Sequence, residues 1–452
     1  IIGEHVDYND GYVLPAAIDK IICFAFEKSN TTTSRIVAID LNQEFEIDLS
    51  KSIQLSSTVW HNYILGVLKQ LQDNGFDFSG VNCVFSSNIP VGSGLSSSAA
   101  LECGFLFGIQ SLFNLDISQQ NRALMSQKAE HWVGINCGIM DQFASVHGLE
   151  NKVIKLDCNT LEFEYHNADF KDYALVLFDS NVKHSLFTSA YNKRREECEE
   201  GLAIIKANFP EVKSFRNCTE AQLLTLKDKM DAVVFTRVHY VVKEIARVSK
   251  ACEALDAGNI ELLGQLLFET HHGLSREYEV SCPELDYLVE LALADDAVIG
   301  SRLMGGGFGG CTITLIKKGK EEALVQQLSK RMSHRGPDES DIHVTEKGHI
   351  LAHERLSIVD LHTGKQPIQG TDSAWMVHNG EIYNHKKLRE TTLKHHTFRT
   401  TSDSEVIVHL YEEFGYDFCD MLDGIFALVV IDGDDYIVAR DPLGVKPLYY
   451  GM

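Results

Sequence analysis

The first residues with clear chemical potential form a glycine- and serine-rich stretch, Pro90-Val-Gly-Ser-Gly-Leu-Ser-Ser-Ser-Ala-Ala100. It follows an extended run at 81–85 and precedes an apolar run at 99–112 that is typical of a helix. Glycines let the backbone approach a ligand, and a helix beginning near Leu95 would direct free N–H groups at that ligand. The stretch therefore predicts a phosphate site, although a serine-capped helix after a glycine turn is an equally good interpretation.

A second candidate site lies near the start of the chain, where Glu4, His5 and Asp7 fall within four residues. The turn signal Asn9-Asp-Gly11 follows them. Three hydrogen-bonding side chains so close together suit a ligand that carries several hydroxyl groups. Taken alone, the cluster is better explained as a capped and solvated turn.

Asp141 is a third candidate because it follows Gly138 and two apolar residues and precedes an apolar helix. A carboxylate in apolar surroundings is poorly hydrated, which raises its pKa and suits it to act as a base. Taken alone, Asp141 is better explained as a helix-capping residue.

The elements around these residues predict a mixed α+β protein. Residues 35–49 alternate as a β-hairpin does, and the pattern at 59–71 predicts a helix. A strand is expected from Ala174, and residues 244–268 read as two short helices. A second glycine loop, Gly305–Cys311, leads into the strand Thr312–Ile316, and we expect it to pack tightly on the first glycine loop.

Length and composition limit the function. A chain of 452 residues is long enough for two to four domains, and its net charge of −23 argues against a nucleic acid or an anionic membrane as partner. The eleven cysteines form no CxxC pair, so neither a zinc site nor a disulfide framework is indicated, and reduced thiols predict the cytoplasm. The chain opens on Ile-Ile rather than Met, and we expect both of its ends to be cut.

Three motifs now occur in order: Gly3-Glu-His-Val-Asp-Tyr-Asn-Asp-Gly11, Gly94-Leu-Ser-Ser-Ser-Ala-Ala100 and Cys137-Gly-Ile-Met-Asp-Gln-Phe143. Together with the second glycine loop they resemble the galactokinases, a family of the GHMP kinase superfamily, over residues 1–328. The resemblance implies a two-lobe α+β fold. Its S5-like N-terminal lobe would span 1–170 and bind sugar and ATP, and its ferredoxin-like C-terminal lobe would span 171–328.

The resemblance also implies an activity, the ATP-dependent phosphorylation of galactose at its anomeric hydroxyl, with Asp141 as the catalytic base. The residues implied to bind galactose are Glu4, His5, Asp7, Gly138 and Tyr191. Those implied to bind ATP are Gly92, Ser93, Gly94, Leu95, Ser96, Ser97 and Ser98 at the phosphates and Trp60 and Tyr63 at the adenine. Mg2+ would be held by Ser98 and Glu130. From their spacing alone, Trp60 and Tyr63 are more typical of a core.

One position of the family pattern is not present. Galactokinases carry an arginine five residues before the glycine of the first motif, close to the catalytic aspartate, and here that position precedes the chain. By analogy with the loss of one charge-stabilising donor, we expect its absence to lower the rate by ~10²–10³-fold.

Residues 329–452 have a different character. Five further motifs, among them Leu351-Ala-His-Glu-Arg355, Asn379-Gly-Glu-Ile-Tyr-Asn-His385 and Ser402-Asp-Ser-Glu405, resemble the glutaminase domain of glutamine-hydrolysing asparagine synthetase. This is a class II amidotransferase, which implies a partial αββα sandwich of the N-terminal-nucleophile hydrolase type. The residues implied to bind glutamine are Arg355, Asn379, Gly380, Glu381 and Asp403.

That family uses a cysteine at the start of its mature chain, whose α-amine serves as the base. Within 329–452 the sequence holds one cysteine, Cys419, in a mostly apolar run that indicates a core position. We therefore expect weak glutamine binding without hydrolysis.

Two other interpretations stay open. The kinase segment could bind sugar and ATP and act by contact, as the galactokinase-like sensors do. Alternatively, the chain joins two unrelated fragments, natural or artefactual, that have no joint function.

Overall fold

The computed structural model describes residues 1–89, 94–180, 182, 187–330, 333–334, 336–346, 349–356, 360, 363–433 and 435–446. Gly92 and Ser93 of the expected phosphate loop lie outside this part of the chain. The chain divides into two compact units, Ile1–Lys317 and Lys318–Tyr450. Among the helices described, none has the length and apolar character needed to cross a membrane.

The first unit, over its described residues, holds ten strands and nine α-helices. The strands are β1 (Tyr12–Val13), β2 (Ile22–Lys28), β3 (Thr33–Ala38), β4 (Gln43–Asp48), β5 (Val81–Ser87), β6 (Lys152–Asp157), β7 (Phe163–Asn167), β8 (Tyr173–Asp179), β9 (Val298–Leu303) and β10 (Cys311–Lys317). The helices are α1 (Val59–Asp73), α2 (Ser97–Phe113), α3 (Gln119–Val133), α4 (Met140–His147), α5 (Phe187–Asn208), α6 (Glu220–Leu224), α7 (Ala232–Asp256), α8 (Ile260–His272) and α9 (Pro283–Leu293).

These strands form three sheets, with the orders β2-β5-β3-β4, β1-β6-β7 and β8-β10-β9. The predicted hairpin is confirmed, since β3 pairs antiparallel with β4 and places Ile36 opposite Phe45. The expected strand after the second glycine loop is β10, which lies between β8 and β9.

Helix α2, which follows the first glycine loop, packs closely on strand β2. A Cβ atom on Gly104 would lie 2.5 Å from the Phe24 ring, and one on Gly108 would lie 2.0 Å from the Phe26 ring. The helix therefore needs glycine on the face that meets the sheet. Its opposite contacts are with α1 and α3, which complete one buried apolar core.

Two predicted element bounds are wrong. The helix after the phosphate loop begins at Ser97 rather than near Leu95. The stretch at 244–268, read as two short helices, holds the second half of one long helix, α7, which has 25 residues, and the first part of α8. The β-branched residues of α7 lower its intrinsic helix propensity, but burial of more than half of its side chains overrides that preference.

The second unit, where it is described, holds three α-helices and two sheets. The helices are α10 (Glu321–Lys330), α11 (His385–Glu390) and α12 (Glu405–Phe414). The strands are β11 (Glu339–Val344), β12 (Ile350–Arg355), β13 (Ile368–Gln369), β14 (Trp375–Ile382), β15 (Gly424–Asp432) and β16 (Asp435–Arg440). Strands β11 and β12 form one antiparallel pair, and the other four form a sheet in chain order. Apolar side chains of α12 and of β14–β15 form its core.

Candidate active site

Two carboxylates, Asp7 and Asp141, lie close together in the first unit. Gly138 lies directly against Asp7, since a Cβ atom on this glycine would fall 1.8 Å from Asp7 Oδ2. Burial raises the pKa of Asp7 to about 6 and that of Asp141 to about 7. Repulsion from Asp7 raises the pKa of Asp141 further, and repulsion from Glu4 raises that of Asp7. Hydrogen bonds from the Ser96 side chain to Asp141 and from the Tyr8 backbone to Asp7 oppose the rise. This places the ionisation of Asp141 near neutral pH, where a general base is most useful.

Ser96 links Asp141 to the start of helix α2. It occupies the N-cap position, yet its side chain makes no capping hydrogen bond and its backbone is left-handed, with φ of 55°. Its hydroxyl bonds Asp141 instead. The first N–H groups of α2 therefore keep no side-chain acceptor from their N-cap residue, which leaves them free for an anionic ligand beside the carboxylate.

Glu4 is fixed by the rest of the unit. Its Oε1 accepts hydrogen bonds from Arg302 Nη1 at 2.7 Å and from the Gly305 backbone N–H at 3.1 Å. Burial alone would raise the pKa of Glu4, but the charge and hydrogen bonds of Arg302 outweigh it and hold that pKa below its ordinary value. Glu4 is thus an ionised, buried carboxylate with a buried partner on β9.

His5 belongs to a hydrogen-bonded chain of rings. Its Nε2 lies 3.1 Å from the Gly306 carbonyl, which can only accept, so Nε2 carries the proton and Nδ1 accepts from the Tyr8 hydroxyl at 2.7 Å. Tyr8 in turn accepts from the Tyr278 hydroxyl at 2.8 Å. Burial lowers the pKa of His5 to about 4, consistent with this neutral tautomer. Tyr191 packs against the same cluster, with its ring centre 5.3 Å from that of His5.

The expected Mg2+ residues are also adjacent. Ser98 Oγ donates to Glu130 Oε1 at 2.9 Å, and Gln142 Nε2 donates to Glu130 Oε2 at 2.6 Å. Two hard oxygen ligands, Ser98 at the start of α2 and Glu130 near the end of α3, fit the ligand preference of Mg2+, and the buried amide of Gln142 orients the carboxylate. Burial raises the pKa of Glu130, and the hydrogen bonds from Ser98, Cys137 and Gln142 only partly oppose the rise.

The two aromatic residues expected at the adenine lie on helix α1. Trp60 donates from Nε1 to Gln43 Oε1 at 2.7 Å, and its ring meets Phe45 and Phe85 edge to face. Trp60 and Tyr63 are both half-buried and pack against the core beneath the sheet. Each keeps part of its ring exposed, so a core role and a ligand role are compatible.

The second glycine loop packs on the first, as predicted. A Cβ atom on Gly305 would lie 3.0 Å from the Gly94 carbonyl oxygen, and one on Gly94 would lie 3.2 Å from the Met304 carbonyl oxygen. The same second loop supplies the backbone groups that hold Glu4 and His5. The second glycine loop therefore contacts both Gly94 of the phosphate loop and the cluster that contains Glu4 and His5.

Several residues of this site were missed from the sequence. They are Arg302, Tyr8, Tyr278, Gln142 and Glu102. Arg302 carried a signal, because a charged residue inside the apolar strand β9 needs a buried partner. Glu102 is fully buried, and burial raises its pKa well above the ordinary value despite a hydrogen bond from Gln142.

The residues expected to bind glutamine lie in the second unit. Arg355 is buried, with Nη1 donating to Glu339 Oε2 and Nη2 to the Asp360 carbonyl, both at 2.6 Å. Gly364 lies between Arg355 and Ser402, the neighbour of Asp403. Asp403 Oδ2 accepts from the Ile382 backbone N–H at 2.8 Å, next to Glu381 on β14. Asn379 is exposed on the same strand, and Gly380 there has φ of 154°.

Cys419 lies among the apolar side chains of the second unit, as predicted, although it is only partly buried. Burial raises its pKa to about 11. Such a thiol is protonated at neutral pH and is a poor nucleophile.

Comparison with known protein families relates the first unit to the GHMP kinases. The models of the GHMP kinase N-terminal and C-terminal domains match residues 62–149 and 251–334, and a galactokinase galactose-binding signature matches 1–28. The Methanococcus jannaschii mevalonate kinase shares the fold at 18% identity, with a TM-score of 0.50, over 79% of this chain and 95% of its own. A glutamine amidotransferase domain matches residues 306–452.

The relatives then narrow the class. Galactokinases from Thermosipho africanus and Thermotoga maritima are 40% identical over 329 and 336 residues, which is 73% of this chain and 90% and 92% of theirs. The structure of Lactococcus lactis galactokinase complexed with galactose superposes with a TM-score of 0.70 at 32% identity, covering 74% of this chain and 87% of that one. The chain therefore belongs to the galactokinase family.

Proposed function

We propose that this chain transfers the terminal phosphoryl group of ATP to the anomeric hydroxyl of galactose. The observation that carries the proposal is the junction of Asp7, Asp141 and Ser96 at the start of α2, where a sugar-binding corner meets an anion-binding helix end. Phosphoryl transfer needs positioning and charge stabilisation more than covalent help from the protein.

In this proposal, Asp141 accepts the proton of the attacking hydroxyl. Asp7, held in place by Gly138 and by the Tyr8 backbone, accepts a hydrogen bond from a sugar hydroxyl. Glu4 offers its second oxygen to the sugar, because Oε1 is already bound to Arg302 and Gly305. Both nitrogens of His5 are engaged within the protein, so His5 and Tyr191 shape the wall of the sugar site.

The ATP side of the site uses the start of α2. The backbone from Gly94 to Ser98 faces the phosphates, and Trp60 and Tyr63 present their exposed ring edges to the adenine. Ser98 and Glu130 hold Mg2+, which neutralises phosphate charge when bound. We assign the N-terminal kinase lobe to residues 1–170 and the C-terminal kinase lobe to residues 171–328. We also propose that the protein is located in the cytoplasm. The second compact unit begins somewhat earlier than 329, at Lys318.

For the second unit we propose a descendant of the class II amidotransferase domain of asparagine synthetase, with part of its αββα sandwich and without its nucleophile. The arrangement of Arg355 and Ser402, the chain neighbour of Asp403, around Gly364 supports a vestigial glutamine pocket. Glu339 already pairs with Arg355, so the carboxylate of glutamine must displace that of Glu339, and this competition makes glutamine binding weak.

Product analysis tests the kinase proposal. Purified chain with ATP, Mg2+ and galactose should yield an anomeric phosphate ester, identified by phosphorus NMR, and glucose under the same conditions serves as the C4-epimer control. Binding of galactose and ATP without product would contradict the proposal and favour a sugar- and ATP-binding protein.

A further inference from the structure

Two adjacent histidines in the second unit converge on one carboxylate, outside every site described above. His395 Nε2 lies 2.7 Å from Glu413 Oε1, and His396 Nε2 lies 3.0 Å from the same oxygen. The three potential ligand atoms all lie within 4.8 Å of one another. From this geometry we propose that His395, His396 and Glu413 form a binding site for a divalent transition metal ion, with Zn2+ as the probe.

The ligand chemistry suits such an ion. Imidazole nitrogens with a carboxylate oxygen are typical of zinc and its first-row neighbours, whereas Mg2+ prefers oxygen alone. Bonds of ~2.0–2.1 Å in tetrahedral geometry separate ligand atoms by about 3.3 Å. The observed 2.7 and 3.0 Å need small outward movements of the exposed His395 and Glu413 side chains and of the His396 side chain, which is 11% exposed.

The site is held in place by buried neighbours. The second ring nitrogen of His396, Nδ1, lies 4.0 Å from Glu412 Oε2, which also accepts a hydrogen bond from His409 Nδ1 at 2.8 Å. Glu412 Oε1 accepts from the Asp372 backbone N–H at 3.0 Å. A carboxylate that accepts a hydrogen bond from a metal-binding histidine fixes the orientation of its ring, and His396 Nδ1 would have to move about 1 Å closer to Glu412 to donate that bond.

The backbone positions also favour a cation. Glu412 and Glu413 occupy the last turn of α12, where the helix dipole places partial negative charge and where α12 has no basic residue. The opposing histidines lie in a turn that is anchored by fully buried Leu393, which accepts a hydrogen bond from the His396 N–H. A cation between the turn and the helix end would offset this concentration of negative charge.

A second pair of adjacent histidines, His271 and His272, does not converge on a common carboxylate as His395 and His396 do. His271 is buried and His272 is exposed, at the end of α8, so the two rings face different surroundings. His271 Nδ1 accepts from the Leu303 backbone N–H, which commits it to the fold. His272 therefore provides a matched control, an exposed histidine in a pair that does not converge.

The experiment is a Zn2+ titration of the full chain by competition with a chromophoric chelator, with excess Mg2+ present. We expect one Zn2+ per chain, and more than about tenfold weaker binding in His395→Gln and in Glu413→Gln. His272→Gln should bind as the parent does. Co2+ in place of Zn2+ should give intense visible absorption, typical of a four-coordinate ion, that both site variants lose.

Unchanged Zn2+ affinity in either site variant, or equal loss in His272→Gln, would overturn the proposal. Loss in His409→Gln with full binding in His395→Gln would also overturn it, because the ion would then lie at the inner group of His396, His409 and Glu412. Since His395 and Glu413 are exposed and belong to neither substrate site, retained sugar kinase activity and an unchanged circular dichroism spectrum verify that the variants fold.

Discussion

The candidate kinase site of the first unit and the candidate glutamine-binding site of the second unit differ in the partners of their charged groups. In the first unit, no cationic side chain among the described residues is bonded to Asp7 or Asp141, and burial raises both pKa values toward neutrality. In the second unit, Arg355 is already paired with Glu339, and the sole cysteine carries a thiol with a pKa of about 11. The two sites therefore differ in their central charged groups: the two aspartates of the first have raised pKa values, whereas the arginine of the second is already paired with a carboxylate.

The largest effect is expected from replacing Arg302, the buried partner of Glu4 in the first site. Replacing it with methionine leaves the buried Glu4 without its partner, and we expect a loss of about 3–5 kcal/mol in the free energy of unfolding. Urea denaturation of Arg302→Met measures it, and adding Glu4→Gln should recover part of the loss. Arg35→Met removes the exposed ion pair with Glu44 and should change stability little. Equal losses of unfolding free energy in Arg302→Met and Arg35→Met would contradict the buried Arg302–Glu4 pair as the source of the effect.

The second prediction concerns the contact between Gly138 and Asp7. The new methyl group of Gly138→Ala would collide with Asp7 Oδ2 and displace that carboxylate, so kcat/KM for galactose should fall by about 10²-fold with little change in melting temperature. In an Asp7→Ala background the same substitution should have little further effect. Additive losses would show that Gly138 acts through something other than Asp7.

The third prediction is the pH dependence of the kinase. Because the base must be ionised, kcat/KM should rise about tenfold per pH unit below pH 6 and level off above pH 7. Since the repulsion from Asp7 contributes to the raised pKa of Asp141, the Asp7→Asn variant should shift the remaining profile to lower pH. A profile that is flat from pH 5 to 8 would contradict the role of Asp141.

The same pKa shifts affect stability in the opposite direction. Both folded-state pKa values exceed the unfolded value of about 3.9, so the native state binds more protons between pH 4 and 7. These two groups therefore contribute stability that is present below pH 4 and lost as pH rises through about 7. Denaturation of the parent and of the Asp7→Asn variant across this range separates their contribution from that of other groups.

The smallest effect is expected in the second unit. The purified chain should release no ammonia from glutamine above background, and Cys419→Ala should change nothing, because a thiol whose pKa is raised to about 11 stays protonated at neutral pH. Release that disappears in Asp403→Ala would refute this and indicate an unrecognised nucleophile.

Much of this molecule followed from local sequence. The β3–β4 hairpin and helix α1 followed from periodicity, and the glycine loops followed from composition. The buried partner of Glu4 did not, because Arg302 lies 298 residues away and no local pattern links them. The length of α7 was missed because its β-branched residues disguise a helix whose stability comes from burial.

The central claim is that Asp141 is the base of a sugar kinase, and one variant tests it most directly. Asp141→Asn keeps the shape of the side chain but cannot accept the proton, so we expect galactose binding by calorimetry to persist while kcat falls by at least ~10²–10⁴-fold. Asp116→Asn, at an exposed aspartate before α3, should behave as the parent. Turnover that is unchanged in Asp141→Asn would contradict the account.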